Sequence, residues 1–192
     1  MTEEKPHTTA VEVNGIRFET RLKNSVIPLP SKEENAMTEV EFEIVVTNNT
    51  SNTFYFDFGD NLTPLLMKAN GQIIPGASGS DWIGQVMESH FRLSRPGETM
   101  SFVDYYVIIY DGEEYVCSFG TERGTWWGSR AVGVGNYRFE LTYENYQSII
   151  TIGFPGLADK MLENIWTGKV VLPVLEFQLV DASICKHSAV SY

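Results

Sequence analysis

Cysteine is almost absent from this chain. Cys117 and Cys185 stand far apart and outside any C-x-x-C pattern, so neither a disulfide framework nor a thiolate metal site is expected, and both read as free thiols. Histidine is equally scarce. His7 and His187 fall near the ends, which leaves His90 alone in the body and excludes a zinc site built on histidines. Basic residues are few as well: 14 Lys and Arg face 25 Asp and Glu, a net charge of -11. That charge repels phosphate backbones and anionic headgroups, so no nucleic acid and no membrane surface is expected as a partner. No apolar run approaches the roughly 20 residues that a spanning helix needs, and the opening "MTEEKPHTTA" lacks an apolar leader core. A water-soluble, cytoplasmic protein is the expectation.

What the chain has is alternation. At 192 residues and 43% apolar content it suits one domain, expected over 9–181 with flexible tails at 1–8 and 182–192. In "TEVEFEIVVT", Val40, Phe42, Ile44 and Val46 share one parity and Glu39, Glu41 and Glu43 the other, the period of a half-buried strand. "FYFDF" sets Phe54, Phe56 and Phe58 on one side. "GNYRFELTYEN" points Tyr137, Phe139, Leu141 and Tyr143 inward, and "GKVVLPVLEFQLV" does the same with Val171, Leu175, Phe177 and Leu179, its Pro173 suiting an edge or a bulge. Asn70-Gly71 and Asp111-Gly112 each separate apolar runs and predict hairpins, the first with a type I′ turn. The run before Asp111 is apolar on both parities, with Val103, Tyr105, Val107 and Ile109 opposed to Phe102, Tyr106, Ile108 and Tyr110. Such a strand is either covered on both faces or offers one to a partner. Leu157, Met161, Leu162 and Ile165 fall near one stripe and predict at most one short helix near 155–165.

Catalytic constellations do not assemble. His90 in "MESHFRL" has neighbours that point to opposite faces of an extended chain, so it reads as a surface or turn histidine. Cys117 in "EEYVCSF" lies among carboxylates that raise a thiol pKa, which argues for a structural cysteine. Gly133 and Gly135 in "AVGVGNY" miss the G-x-G-x-x-G spacing and precede a strand, so they prepare no phosphate site. Asp57, Asp60 and Asp81 lack EF-hand spacing and read as solvated loop rather than a calcium site. The Asn-x-Ser/Thr matches at Asn48, Asn49 and Asn61 mark polar loop. No cofactor and no metal is expected, and no enzyme.

"TERGTWWGSR" remains. Adjacent residues of an extended chain project oppositely, so Trp126 and Trp127 cannot both fill one core, and one of them belongs near the surface. Arg123 and Arg130 are positioned to pair with carboxylates or stack on these rings. Trp82, in the glycine- and serine-rich "PGASGSDWIG", joins such a patch if both loops emerge at one end. Competing with this is a loop folded back, one indole plugging the end of the core and the other covering backbone.

The strand count points to an all-β, two-sheet antiparallel sandwich. "LSRPGETMSF" followed by "GVGNYRFELTY" and a last strand after "IWTGKVVLPVLEFQLV" resembles the E, F and G strand succession of bacterial immunoglobulin-like and fibronectin-like domains. The resemblance covers the last half of the chain and implies an immunoglobulin-like sandwich in which Tyr137 closes a corner as a strand opens. No Cys...Trp...Cys pin is present, and partner and activity stay open. The expected function is a non-enzymatic protein-interaction or assembly module that presents Trp126, Trp127, Arg123, Arg130 and Trp82 on end loops to a protein partner or a second copy. A proteinase-inhibitor-like sandwich of the BsuPI or chagasin kind is the alternative, with "TNNTSNTF" and "AVGVGNY" as its end loops. A carbohydrate-binding module with stacking tryptophans is the third reading.

Overall fold

The structure, a computed structural model, describes residues 10–59, 61–80, 86–120, 124–153 and 160–182. Its strands are β1 (Ala10–Val13), β2 (Ile16–Leu22), β3 (Val26–Pro28), β4 (Met37–Asn48), β5 (Phe54–Phe56), β6 (Leu62–Lys68), β7 (Gly76–Ser80) and β8 (Arg92–Ser94). They continue as β9 (Thr99–Tyr110), β10 (Tyr115–Gly120), β11 (Thr125–Val132), β12 (Gly135–Asn145), β13 (Ile149–Ile152), β14 (Lys160–Glu163), β15 (Gly168–Val171) and β16 (Leu175–Val180). The chain is all-β. A seven-stranded sheet in the order β1-β2-β4-β9-β10-β11-β7 packs on a five-stranded one centred on β12. β6 lines one side of β12, while β16 and β15 share the other, at Gly135–Phe139 and Thr142–Asn145. Two ribbons, β5–β8 and β13–β14, complete the sandwich.

The alternation read from the letters becomes the core. Val40, Phe42, Ile44 and Val46 are buried, as are Tyr137, Phe139, Leu141 and Tyr143. Rings from both sheets interlock. Phe42 meets Phe119 and Phe139 at centroid distances of 5.9 and 5.8 Å, and Tyr106 lies 5.0 Å from Phe139 and 5.5 Å from Phe177. Phe18, Phe56, Tyr143 and the buried Trp166 form a second aromatic group. Each fully buried side chain of this size contributes roughly 1.5–3 kcal/mol through removal of apolar surface from water.

Four expectations need correction. Residues 160–163 are strand β14, paired with β13 from Ile149↔Glu163 to Ile152↔Lys160, and not part of a helix. Leu162 and Ile165 are buried and Met161 is exposed. The Asn70-Gly71 turn is not type I′. Gly71 alone has positive φ, and the Lys68 N–H donates to Gln72 O at 2.9 Å across a three-residue loop, the geometry of a type I turn with a following left-handed glycine. A true type I′ pair lies elsewhere: Asn14 and Gly15 have φ of 52° and 76° and join β1 to β2. Third, the stretch around Pro173 is two strands. Val170 and Leu172 are buried before the proline and Leu175, Phe177 and Leu179 after it, so the parity slips and Val171 is exposed. The Thr20 hydroxyl donates to the Pro173 carbonyl at 2.6 Å within that break. Finally, the sandwich is not wholly antiparallel, since β3 runs parallel to β16.

Buried asparagines hold two strand ends. Asn48, placed by its glycosylation-type triplet in a polar loop, is fully buried. Its amide donates to Asn52 O and Ser94 O, and its Oδ1 accepts from Thr50. Asn145 does the same for Gln147 and Trp166 at the end of β12. At the start of β12, the Tyr137 hydroxyl donates to Gly133 O at 2.9 Å and accepts the Gly133 N–H at 3.0 Å. The tails expected at 1–8 and beyond Ala182, with Leu157 and Cys185, lie outside the described residues.

Candidate functional site

Strand β9 lies in the middle of the large sheet, between β4 and β10. Its inner parity carries Phe102, Tyr106 and Ile108 into the core. On its outer parity Val103 and Tyr105 are 51% and 45% exposed, and Val107 and Ile109 are half-buried. Cross-strand register extends this stripe. Met37 of β4 and Val116 of β10 flank Ile109, and Glu43, Glu41 and Glu39 flank Val103, Tyr105 and Val107. An apolar stripe therefore runs down a central strand beside a row of carboxylates. Two of these are paired: Glu41 with Lys23 at 2.7 Å and Glu43 with Arg21 at 3.3 Å.

The tryptophans sit on β11, so residues 125–130 are strand and not an end loop. Their opposite projection follows. Trp127 pairs with Phe119, points inward and packs on the core, 5.5 Å from the Phe119 ring. Trp126 pairs with Gly120 on one side and Gly79 on the other, and takes the outer face. Its ring lies across Gly79, where a Cβ would come within 2.9 Å of Cζ2. Gly79 is thus required by close approach. Arg130 does not stack on either indole in the described contacts. Its guanidinium reaches the β9–β10 turn, 3.0 Å from Glu114 and 3.3 Å from Asp111. The Asp111 carboxyl is held below its ordinary range, first by the backbone N–H groups of Glu114 and Glu113 and then by Arg130. Trp82 and Arg123 lie outside the described residues; of the other three expected in that patch, Trp127 turns to the core, Trp126 lies across Gly79 and Arg130 reaches the β9–β10 turn.

Beneath β7 a cavity of about 210 Å³ opens between the sheets. Leu66, Ile74, Cys117, Phe119, Trp127 and Phe139 line it. Cys117 is buried, and burial itself, rather than neighbouring carboxylates, pushes its thiol up to about 12. Such a thiol is a poor nucleophile at neutral pH. A second, more polar hollow of about 200 Å³ is bordered by Asp57, Ser89, His90, Arg92 and Asp104. Arg92 sits 4.9 Å over the Phe102 ring, His90 Nδ1 accepts the Met87 N–H at 3.2 Å, and Asp57 accepts the Gly59 N–H at 2.9 Å. Asp57 is buried rather than solvated, and Asp60 and Asp81 lie outside the described residues. Among the described residues no group of three or more His, Cys, Asp or Glu is placed to hold a metal, and no helix is long and apolar enough to cross a membrane.

The chain matches no family model, no curated protein and no solved structure. Its geometry alone carries the functional reading. The open outer face of β9 was legible as one of two options in the apolar double parity. The β7 margin was hidden, because "GASGS" has neither β-branched residues nor alternation and reads as loop.

Proposed function

We propose that this protein is a non-enzymatic interaction module that binds a protein partner through the outer face of β9–β11, not through end loops. The observation that carries this reading is the exposure of Val103 and Tyr105 in the middle of a twelve-residue central strand. A central strand ordinarily turns apolar residues to a covering layer, and contiguous apolar exposure on a folded domain marks a contact surface. Tyr105 and Trp126 supply large amphipathic rings of the kind that dominate binding energy. The flanking Glu39, Glu41 and Glu43 fit a partner with an apolar centre and a lysine or arginine rim. A net charge of -11 on each copy opposes self-association through the same face. The buried Cys117 thiol suits a reducing, cytoplasmic compartment.

The test is affinity purification from the source cell with quantitative mass spectrometry, comparing the native chain with a Val103→Ser, Tyr105→Ser double variant. Both side chains are half-exposed, so the melting temperature should stay within a few degrees. At least one partner should fall tenfold or more in recovery. An unchanged partner set from a folded variant sinks the proposal.

A further inference from the structure

The two sheets end side by side at one margin of the sandwich, in β7 and β6, and the two edges are finished differently. The outer side of β6 is covered by its own chain. Pro64 has no N–H to offer, the Ile74 N–H donates to Leu66 O at 3.0 Å, and Met67 bridges Ile73. β7 is the last strand of its sheet, and among the described residues no strand pairs with its other side. Four of its residues, Gly76, Ala77, Ser78 and Ser80, are exposed. Its own residues lack the side-chain protections of an open edge: no charged group, no proline within the strand, and only hydrogen, methyl and hydroxymethyl groups as side chains. Immediately inside this edge lies the cavity of about 210 Å³ walled by Leu66, Ile74, Phe119, Trp127 and Phe139. Ser78, which pairs with the inward-pointing Trp127, stands at its mouth.

We infer that the β7 edge accepts an extended segment of another protein as an eighth strand, with one large apolar side chain of that segment seated in the cavity. Each half of the site supplies what the other lacks. Half of the backbone groups of a terminal strand point away from its sheet, giving a ladder without sequence preference. The cavity supplies the preference. A dry cavity of roughly 150 Å³ takes a benzene ring, so this one accommodates a leucine, methionine or phenylalanine side chain. In an extended segment the residues on either side of that anchor face outward, where Trp126 lies across Gly79, and polar or aromatic types fit there. The partner sequence is thus polar–apolar–polar, uncharged at the anchor. A second copy of this chain is the poorer occupant, since its β7 brings only glycine, alanine and serine to the cavity.

The experiment is selection of a random dodecapeptide phage library on the immobilised full chain. The strongest peptide is then resynthesised with a single N-methyl group at each position in turn. Enriched peptides should share one large apolar residue with polar neighbours. N-methylation should weaken binding tenfold or more at alternate positions and less than about twofold between them, the parity of a strand paired along one edge. Ser78→Phe, which fills the cavity mouth from within, should abolish binding. The N-methyl scan uses the unaltered protein and decides the matter even where Ser78→Phe does not fold. Failure to enrich any peptide, N-methyl effects without a period of two, or a dimer in light scattering that Ser78→Phe dissolves would each overturn the inference. Peptide binding should survive Val103→Ser with Tyr105→Ser, so this edge and the outer face stand or fall separately.

Discussion

The outer face of the large sheet has two halves built on the same alternation. On β2 and β4 the outward positions include Arg17, Glu19, Arg21, Glu39, Glu41 and Glu43, several joined by ion pairs such as Arg17–Glu19 at 3.0 Å and, with Lys23, Lys23–Glu41 at 2.7 Å, with Met37 and Val45 as the apolar exceptions. On β9 they are Val103, Tyr105, Val107 and Ile109. The inner positions beneath both halves are mainly apolar, so parity decides which residues turn outward and leaves open what that face is for. Exposed ion pairs contribute little to stability. They keep one half of the face soluble and unattractive to other chains, while the other half leaves apolar area uncovered.

The comparison breaks most completely by removing its shared support. Phe42→Ala deletes a ring that touches Tyr106, Phe119 and Phe139 and should cost about 3–5 kcal/mol, read as a lower denaturant midpoint. Next comes Gly79→Ala, which drives a methyl into the Trp126 ring and should cost about 1–3 kcal/mol. In the double variant with Trp126→Ala the two losses should fall short of additive, whereas strict additivity would separate the pair.

A pH series probes the core that both halves share, because β9 and β10 turn the ionisable side chains of Tyr106 and Cys117 into it. The unfolded thiol ionises near 9 and the folded one only near 12. Its stabilising contribution is therefore whole below pH 9 and declines as pH rises toward 12, with a slope approaching ~1.4 kcal/mol per unit. Burial raises Tyr106 and Tyr143 in the same direction and steepens the decline above about 10. Denaturation midpoints at successive alkaline pH values should show this, and Cys117→Ala should flatten its lower part. The smallest effect belongs to the charged half, where Arg21→Ala should cost less than about 1 kcal/mol and less again in high salt.

How far the letters carried can be judged from particular residues. β12 was legible because its whole length alternates with a buried parity, and β4 because Val40 to Ile44 does so before Val45 interrupts it. The opposed tryptophans were legible for the same reason, although their strand was not: glycines at 124 and 128 and the serine at 129 disguise β11. Leu157, Met161, Leu162 and Ile165 offered spacings that satisfy a helix, and only pairing with β13 makes Lys160–Glu163 a strand. Pro173 defeated a parity count that ran straight through it. The cavity under β7 was invisible in principle, since its walls come from β6, β7, β10, β11 and β12 and exist only once both sheets have closed.

One pairing has a consequence for how the polypeptide is made. Val26 of β3 lies beside Gln178 of β16, with Ile27 and Pro28 against Leu179 and Val180. At roughly 5–20 residues per second on the ribosome, β3 waits about ten seconds or longer for its neighbour to emerge. Until then a newborn strand with Ile27 at its centre lacks the neighbour it pairs with in the finished sheet, so this parallel pair is among the last contacts of the smaller sheet to form.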